Sequence, residues 1–169
     1  MKRLKFYGLG GQGVVTAGKV LSSAVSLHED KYAITVPAYG HERRGAPVFT
    51  DVVMDDKPVL VNCFVYTPDI VVVMDETIIQ KHVDVSKGIT NETILVLNAS
   101  SEAVARKYQE ALDNIGKGIP NGSTLGALAK TGVVSIESVE KALIEFFGEK
   151  AGAKNAKAAR DSYNQTRQM

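Results

Sequence analysis

The run Gly8-Leu9-Gly10-Gly11-Gln12-Gly13 constrains this chain more than any other segment. It closes a short, half-apolar stretch from Arg3 to Gly8 that reads as a strand. It opens a segment in which Val14, Val15, Ala17, Val20, Leu21, Ala24, Val25 and Leu27 recur near a 3.6-residue spacing, which predicts a helix over 12–27. A strand that turns through glycines into a helix is the start of an α/β fold. Glycines allow a tight turn and close backbone approach, and the free N–H groups of a helix N-terminus attract an anion. Gly8, Gly10, Gly11, Gln12 and Gly13 are therefore candidate contacts to a phosphate or to a partner chain.

The same run satisfies G-x-G-x-x-G, the dinucleotide fingerprint, in its required strand-to-helix context. Such a site also needs Asp or Glu at the end of the second strand to hold the ribose hydroxyls. Here that strand ends Ile34-Thr35-Val36-Pro37-Ala38, without a carboxylate. Arg43 and Arg44 could meet an NADP phosphate, although they belong to a separate loop. Three readings stay open: a nicotinamide site, glycines that serve only tight strand–helix packing, and a loop approached by a phosphate or partner backbone in a larger complex.

Farther along, Tyr32 to Val36 reads as a second strand that closes a right-handed βαβ unit, and Pro37 stops it. Gly40-His41-Glu42-Arg43-Arg44-Gly45 is a charged loop. Ala46 to Met54 and Pro58 to Val61, with Asp55-Asp56 between, predict an antiparallel hairpin. Ile70 to Met74 and Thr93 to Leu97 are apolar runs suited to strands covered on both faces. Helices are expected at Ser101 to Leu112, Ser123 to Lys130, Ile136 to Phe147 and Ala151 to Met169, with a glycine-rich break from Gly116 to Gly122. The expected fold is α/β: one three-layer domain over 1–169, with a mostly parallel sheet, a βαβ start at the glycine loop and an antiparallel hairpin extension.

Composition excludes several functions. Hydrophobic residues make up 44% of 169, enough for a single core. A formal charge of +1, from 20 basic and 19 acidic side chains, gives no field to hold a nucleic acid. No run of about 18 apolar residues predicts a membrane span. Met1-Lys2-Arg3-Leu4 leads directly into a strand without a signal region, so a cytoplasmic location is expected. The single cysteine, Cys63, cannot form an internal disulfide or a cysteine-ligated cluster, and its apolar setting predicts a buried strand residue. No metal-ligand spacing is present. His28 and His82 read as surface residues, and Ser22 and Ser23 lie within a helix, away from any nucleophile elbow. His41 could titrate near neutrality but has no partner that would make it a base, so no catalytic residue is assigned.

Three blocks together carry a resemblance. Gly8 to Gly18 is similar to the opening of the gamma subunits of pyruvate or 2-ketoisovalerate:ferredoxin oxidoreductases. Tyr39 to Val48, with Glu42-Arg43-Arg44-Gly45-Ala46-Pro47, resembles that family's arginine–glycine loop, except that His41 stands where the family tends to have proline. Asn121 to Val134 resembles its late helix, and Asn155 to Tyr163 its tail. The resemblance implies a subunit of an enzyme that converts a 2-oxoacid (pyruvate favoured) and coenzyme A to acyl-CoA and CO2, reducing ferredoxin. It implies alpha, beta and delta partners that carry thiamine diphosphate, magnesium and iron–sulfur clusters, with no cofactor held firmly by this chain. Coenzyme A is then a candidate for the anion at the glycine loop or at Arg43 and Arg44. Those arginines suit either a phosphate or a carboxylate across a subunit interface. An internal Glu–Arg pair is the structural alternative. The chain alone is expected to be inactive, and it could dimerise in isolation through uncovered apolar surface. A stand-alone nucleotide-binding oxidoreductase and a ligand-free assembly subunit are the two competing functions.

Overall fold

The computed structural model describes residues 1–38, 43–60, 62–99, 114–116 and 122–168. The helix expected at Ser101 to Leu112, and residues Tyr39 to Glu42 of the charged loop, lie outside the described residues. The elements run β1 (Lys2–Leu9), α1 (Val14–His28), β2 (Tyr32–Pro37), β3 (Pro47–Asp55), β4 (Ile70–Val73), a 3-10 helix (Glu76–Lys81), β5 (Ile94–Asn98), β6 (Asn114–Gly116), α2 (Gly122–Ala129), α3 (Ile136–Gln165) and β7 (Arg167–Gln168). They form an α/β domain around one mixed sheet, ordered β2-β3-β1-β4-β5-β6-β7. Five full strands make its body, and β6 and β7 taper it at one edge.

Alternation along the strands builds two cores. Leu4, Phe6, Val72 and Val96 face α1, α2 and α3, where Val20, Leu21, Leu125, Leu128 and Leu143 close the larger cluster. Tyr7, Val71, Val73, Leu95 and Leu97 face the other way and pack with Ile78 and Val85. All four residues of β4 are buried, as a parallel strand covered on both faces requires. Small residues let α1 lie close to the sheet: a Cβ on Gly18 would come within 3.0 Å of the side chains of Thr35 and Thr50. Helix α3 breaks at Gly148 (φ 74°, ψ 167°). Its second arm folds back on the first, and Arg160 joins Glu140 and Glu137 across the hairpin.

Four expectations are corrected. The sheet is mixed and not mostly parallel, because β3 and β7 each run antiparallel to their neighbours. The strands β1 and β2 run parallel but do not pair, because β3 lies between them, antiparallel to both. The opening is thus a split βαβ unit. The hairpin is β2–β3, and Pro58 to Leu60 forms no strand: β3 already has β1 and β2 as neighbours, so no ladder position remains for a strand following Asp55. Cys63 is exposed instead of buried, since its apolar segment joins no sheet.

Candidate functional site

Parallel strands β1 and β4 are neighbours. The chain leaves β1 for α1 on one face of the sheet and leaves β4 for the 3-10 helix on the other. Divergent continuations of this kind open a crevice at the carboxyl ends of the strands, the usual ligand position in open α/β sheets. The glycine loop and Asp75 both stand there.

Each residue of the glycine loop has a local task. A Cβ on Gly8 would meet Val14 Cγ2 at 2.7 Å, so Gly8 permits the helix to pack on its own strand. Gly11 (φ 91°) and Gly13 (φ 78°) take left-handed backbone, which favours glycine. Gly13 is the N-cap of α1 and gives it no side-chain cap. Gln12 accepts from the Leu9 N–H at 2.8 Å and donates to Asp75 Oδ2 at 2.5 Å, tying the loop to the end of β4. At Gly10 a Cβ would lie 2.3 Å from the Arg43 carbonyl oxygen. In a dinucleotide site the corresponding glycine makes room for pyrophosphate; here that room holds the protein's own charged loop.

The two motifs read from the sequence therefore interlock. The Gly10 N–H donates to the Ala46 carbonyl (2.8 Å), and the Gly45 N–H donates to the Gly10 carbonyl (3.0 Å). The Ala46 N–H closes a turn onto the Arg43 carbonyl (2.9 Å), and Lys81 Nζ braces the turn through the Gly45 carbonyl (2.7 Å). Arg43 and Arg44 are exposed at its tip, with the Arg44 side chain running beside Gly11. His82, exposed, and His28, within 3.2 Å of Glu145, are remote from any such arrangement. Ser22 bonds Thr35 within the α1–β2 packing. His41 lies outside the described residues.

Asp75, Lys81 and Asn98 complete the crevice and were not singled out from the sequence. Asp75 caps the 3-10 helix, accepting from the Thr77 N–H (2.9 Å) and hydroxyl (2.6 Å). The Asn98 amide donates to the Met74 carbonyl. The readable signal was a polar residue ending each buried apolar strand, Asp75 after β4 and Asn98 in β5. Burial alone would raise the Asp75 carboxyl, but the bonds from Thr77 and Gln12 outweigh it and hold the group below its ordinary value of 3.8. A depressed acid stabilises the fold above its unfolded value and loses that contribution as pH falls through the folded value. Thermal melts of the wild-type chain should consequently fall more steeply below about pH 4 than those of Asp75→Asn, which keeps the cap but cannot titrate. Parallel pH profiles would show that Asp75 carries no such linkage.

Known proteins share this sequence and fold. The family model described as pyruvate ferredoxin/flavodoxin oxidoreductase matches residues 3–165. The chain is 41% identical to the pyruvate/ketoisovalerate oxidoreductases common subunit gamma of Pyrococcus furiosus, over 98% of this chain and 97% of that one. It is 40% identical to the pyruvate synthase subunit PorC of Methanocaldococcus jannaschii, with the same coverage of each chain. The crystal structure of the pyruvate oxidoreductase subunit PORC of Thermotoga maritima superposes with a TM-score of 0.79 at 30% identity, covering 98% of this chain and 97% of that one. With matches that span nearly its whole length, the chain belongs to the pyruvate ferredoxin/flavodoxin oxidoreductase family, in the gamma, or PorC, line of subunits.

Proposed function

We propose that this chain is the gamma-type subunit of a 2-oxoacid:ferredoxin oxidoreductase, with pyruvate the favoured 2-oxoacid. It joins alpha, beta and delta partners in the cytoplasm, and the complex passes electrons to ferredoxin. The interlock of the glycine loop with the Arg43–Ala46 turn carries this reading. In this reading the glycine loop supports a turn whose two exposed guanidinium groups stand at the crevice. A guanidinium fork matches a phosphate or a carboxylate in two-point geometry. Arg43 and Arg44 are thus proposed to hold a phosphate of coenzyme A or a carboxylate of a partner subunit. The uncapped N-terminus of α1 adds the positive end of a helix dipole. Coenzyme A supplies the thiol that accepts the acyl group; this chain's part is to bind and orient it.

Thiamine diphosphate, magnesium and the clusters are assigned to the partners. With one cysteine, this chain cannot ligate a cubane cluster by itself. A stand-alone nicotinamide enzyme fits poorly, because the backbone of Arg43 fills the space at Gly10 and β2 ends at Pro37 without a carboxylate.

The test is co-purification of the tagged chain from its host, followed by an assay of 2-oxoacid- and CoA-dependent viologen reduction. Recovery of thiamine- and cluster-containing partners with that activity is expected. A chain that comes down alone and binds a nicotinamide would overturn the reading. Within the complex, Arg43→Ala with Arg44→Ala should leave melting nearly unchanged, since both side chains are exposed. Assembly or CoA-dependent turnover should fall about tenfold or more, as lost charge-assisted contacts predict. Wild-type assembly and turnover in the double variant would remove the arginines from the site.

A further inference from the structure

Beside the arginine turn lies a cavity of about 350 Å3, shared by the start of β3, the β1 strand, the 3-10 helix and the unpaired segment before β4. Three of the chain's exposed large apolar side chains, Phe49, Phe64 and Tyr66, line it, and Tyr66 is 72% exposed. Phe49 sits edge-on to Phe64 (6.2 Å) and tilted against Tyr7 (6.4 Å). Apolar side chains concentrated around a concavity mark a contact surface better than scattered ones do.

The one cation in the floor of this cavity, Lys5, is already paired. Lys5 gives its three donors to Asp51 Oδ1 (3.0 Å), Asp51 Oδ2 (3.2 Å) and the Val65 carbonyl (3.0 Å). Burial, with help from Asp51 and Asp84, pushes the Tyr7 phenol up to about 12, so it remains neutral. Nothing in the floor calls for a charged ligand, and the walls suit an apolar side chain of the size the volume admits. The rim differs. Lys87 lines it, and Arg43, Arg44 and Lys81 extend the positive charge along the adjoining turn. The nearby carboxylate, Asp84, is engaged by the Ser86 N–H and hydroxyl.

We propose that this groove is the anchor pocket for a partner subunit of the same complex, and that its occupant is an aromatic or aliphatic side chain flanked by carboxylates. The apolar anchor fills the cavity over Lys5 and Tyr7, and the flanking acids meet Lys87 and the arginine turn. The pocket and the turn share the 3-10 helix, with Ile78 in the cavity wall and Lys81 bonded to the turn. Seating the anchor would therefore bear on the arginines. This proposal rests on the subunit reading above and names the contact that reading needs.

The test is co-expression of the tagged chain with its alpha, beta and delta partners. Wild type, Tyr66→Ala and Lys87→Glu are compared, with Leu27→Ala as an exposed control on α1. Tyr66 and Lys87 are exposed, so both variants should melt like wild type. Each should lower partner recovery about tenfold, the scale of a single interface anchor. Wild-type recovery should fall with added salt, and Lys87→Glu should flatten that dependence. Leu27→Ala should match wild type. Normal recovery and salt response in both variants would overturn the pocket while leaving the subunit reading intact. Failure of the wild-type chain to recover any partner would overturn both. An isolated chain that is dimeric, made monomeric by Tyr66→Ala without loss of partner recovery, would assign the groove to a second copy and overturn the proposal.

Discussion

Lys5→Met is expected to lower the stability of this chain by about 3–5 kcal/mol, the usual consequence of removing one partner of a buried ion pair. Asp51 is fully buried in β3, and Lys5 stands directly across the ladder in β1. With the ammonium gone, the carboxylate keeps one described donor, the Val65 N–H at 2.8 Å, and an uncompensated charge stays inside the protein. Val65 also loses the bond to its carbonyl, one of those that hold the unpaired segment to the sheet. Urea denaturation of Lys5→Met and of its combination with Asp51→Leu distinguishes charge from packing. Lys5→Met with Asp51→Leu should recover only part of the loss: the uncompensated charge is gone, but the Val65 N–H and carbonyl are left without these partners. A single variant within 1 kcal/mol of wild type would mean that water reaches Asp51 readily.

Gly10→Val should cost roughly 3 kcal/mol or more, combining overpacking with the loss of two hydrogen bonds. The clash is with backbone: the new Cβ would stand 2.3 Å from the Arg43 carbonyl. That carbonyl cannot retreat without straining the bonds that Gly10 makes with the Gly45 N–H and the Ala46 carbonyl. Space, and not a left-handed backbone, makes glycine necessary at this position, since Gly10 is absent from the positive-φ residues. Gly45→Ala provides the contrast. Gly45 has φ 79° with no atom within 4 Å of its would-be Cβ, so alanine there should cost only the conformational strain of about 1–2 kcal/mol. Chemical melts compare the two directly, and complex recovery should fail for Gly10→Val before it fails for Gly45→Ala. A Gly10→Val chain with wild-type melting would show that the turn moves aside cheaply.

Much of the opening was legible because it depends on neighbours in sequence. The strand, the glycine turn and the periodic apolar residues from Val14 to Val25 specify their own local structure. The insertion of β3 between β1 and β2 is a long-range choice that no local pattern encodes. Ala46 to Met54 looks equally suited to a hairpin with the residues after it, and only the completed sheet shows that both sides of β3 are taken. Cys63 failed for the same reason: apolar sequence predicts burial only where an element is available to cover it. The two loops of the site were visible as separate motifs, and their contact was not, since Gly10 and Arg43 meet through tertiary structure. Lys5 is one of several basic residues in β1 and Asp51 one of two acids in β3, and registry alone reveals them as a pair.

The tapering of the sheet has a consequence for the chain before it meets its partners. An open sheet ends in unpaired backbone, a template for aggregation through strand addition. Here, among the described residues, one margin dwindles to β6, of three residues, and β7, of two, a short template for a foreign strand. The opposite margin, β2, ends in Pro37, which offers no N–H. Strand addition is thereby disfavoured, which leaves exposed apolar surface, the aromatic groove included, as the place where unassembled chains would meet.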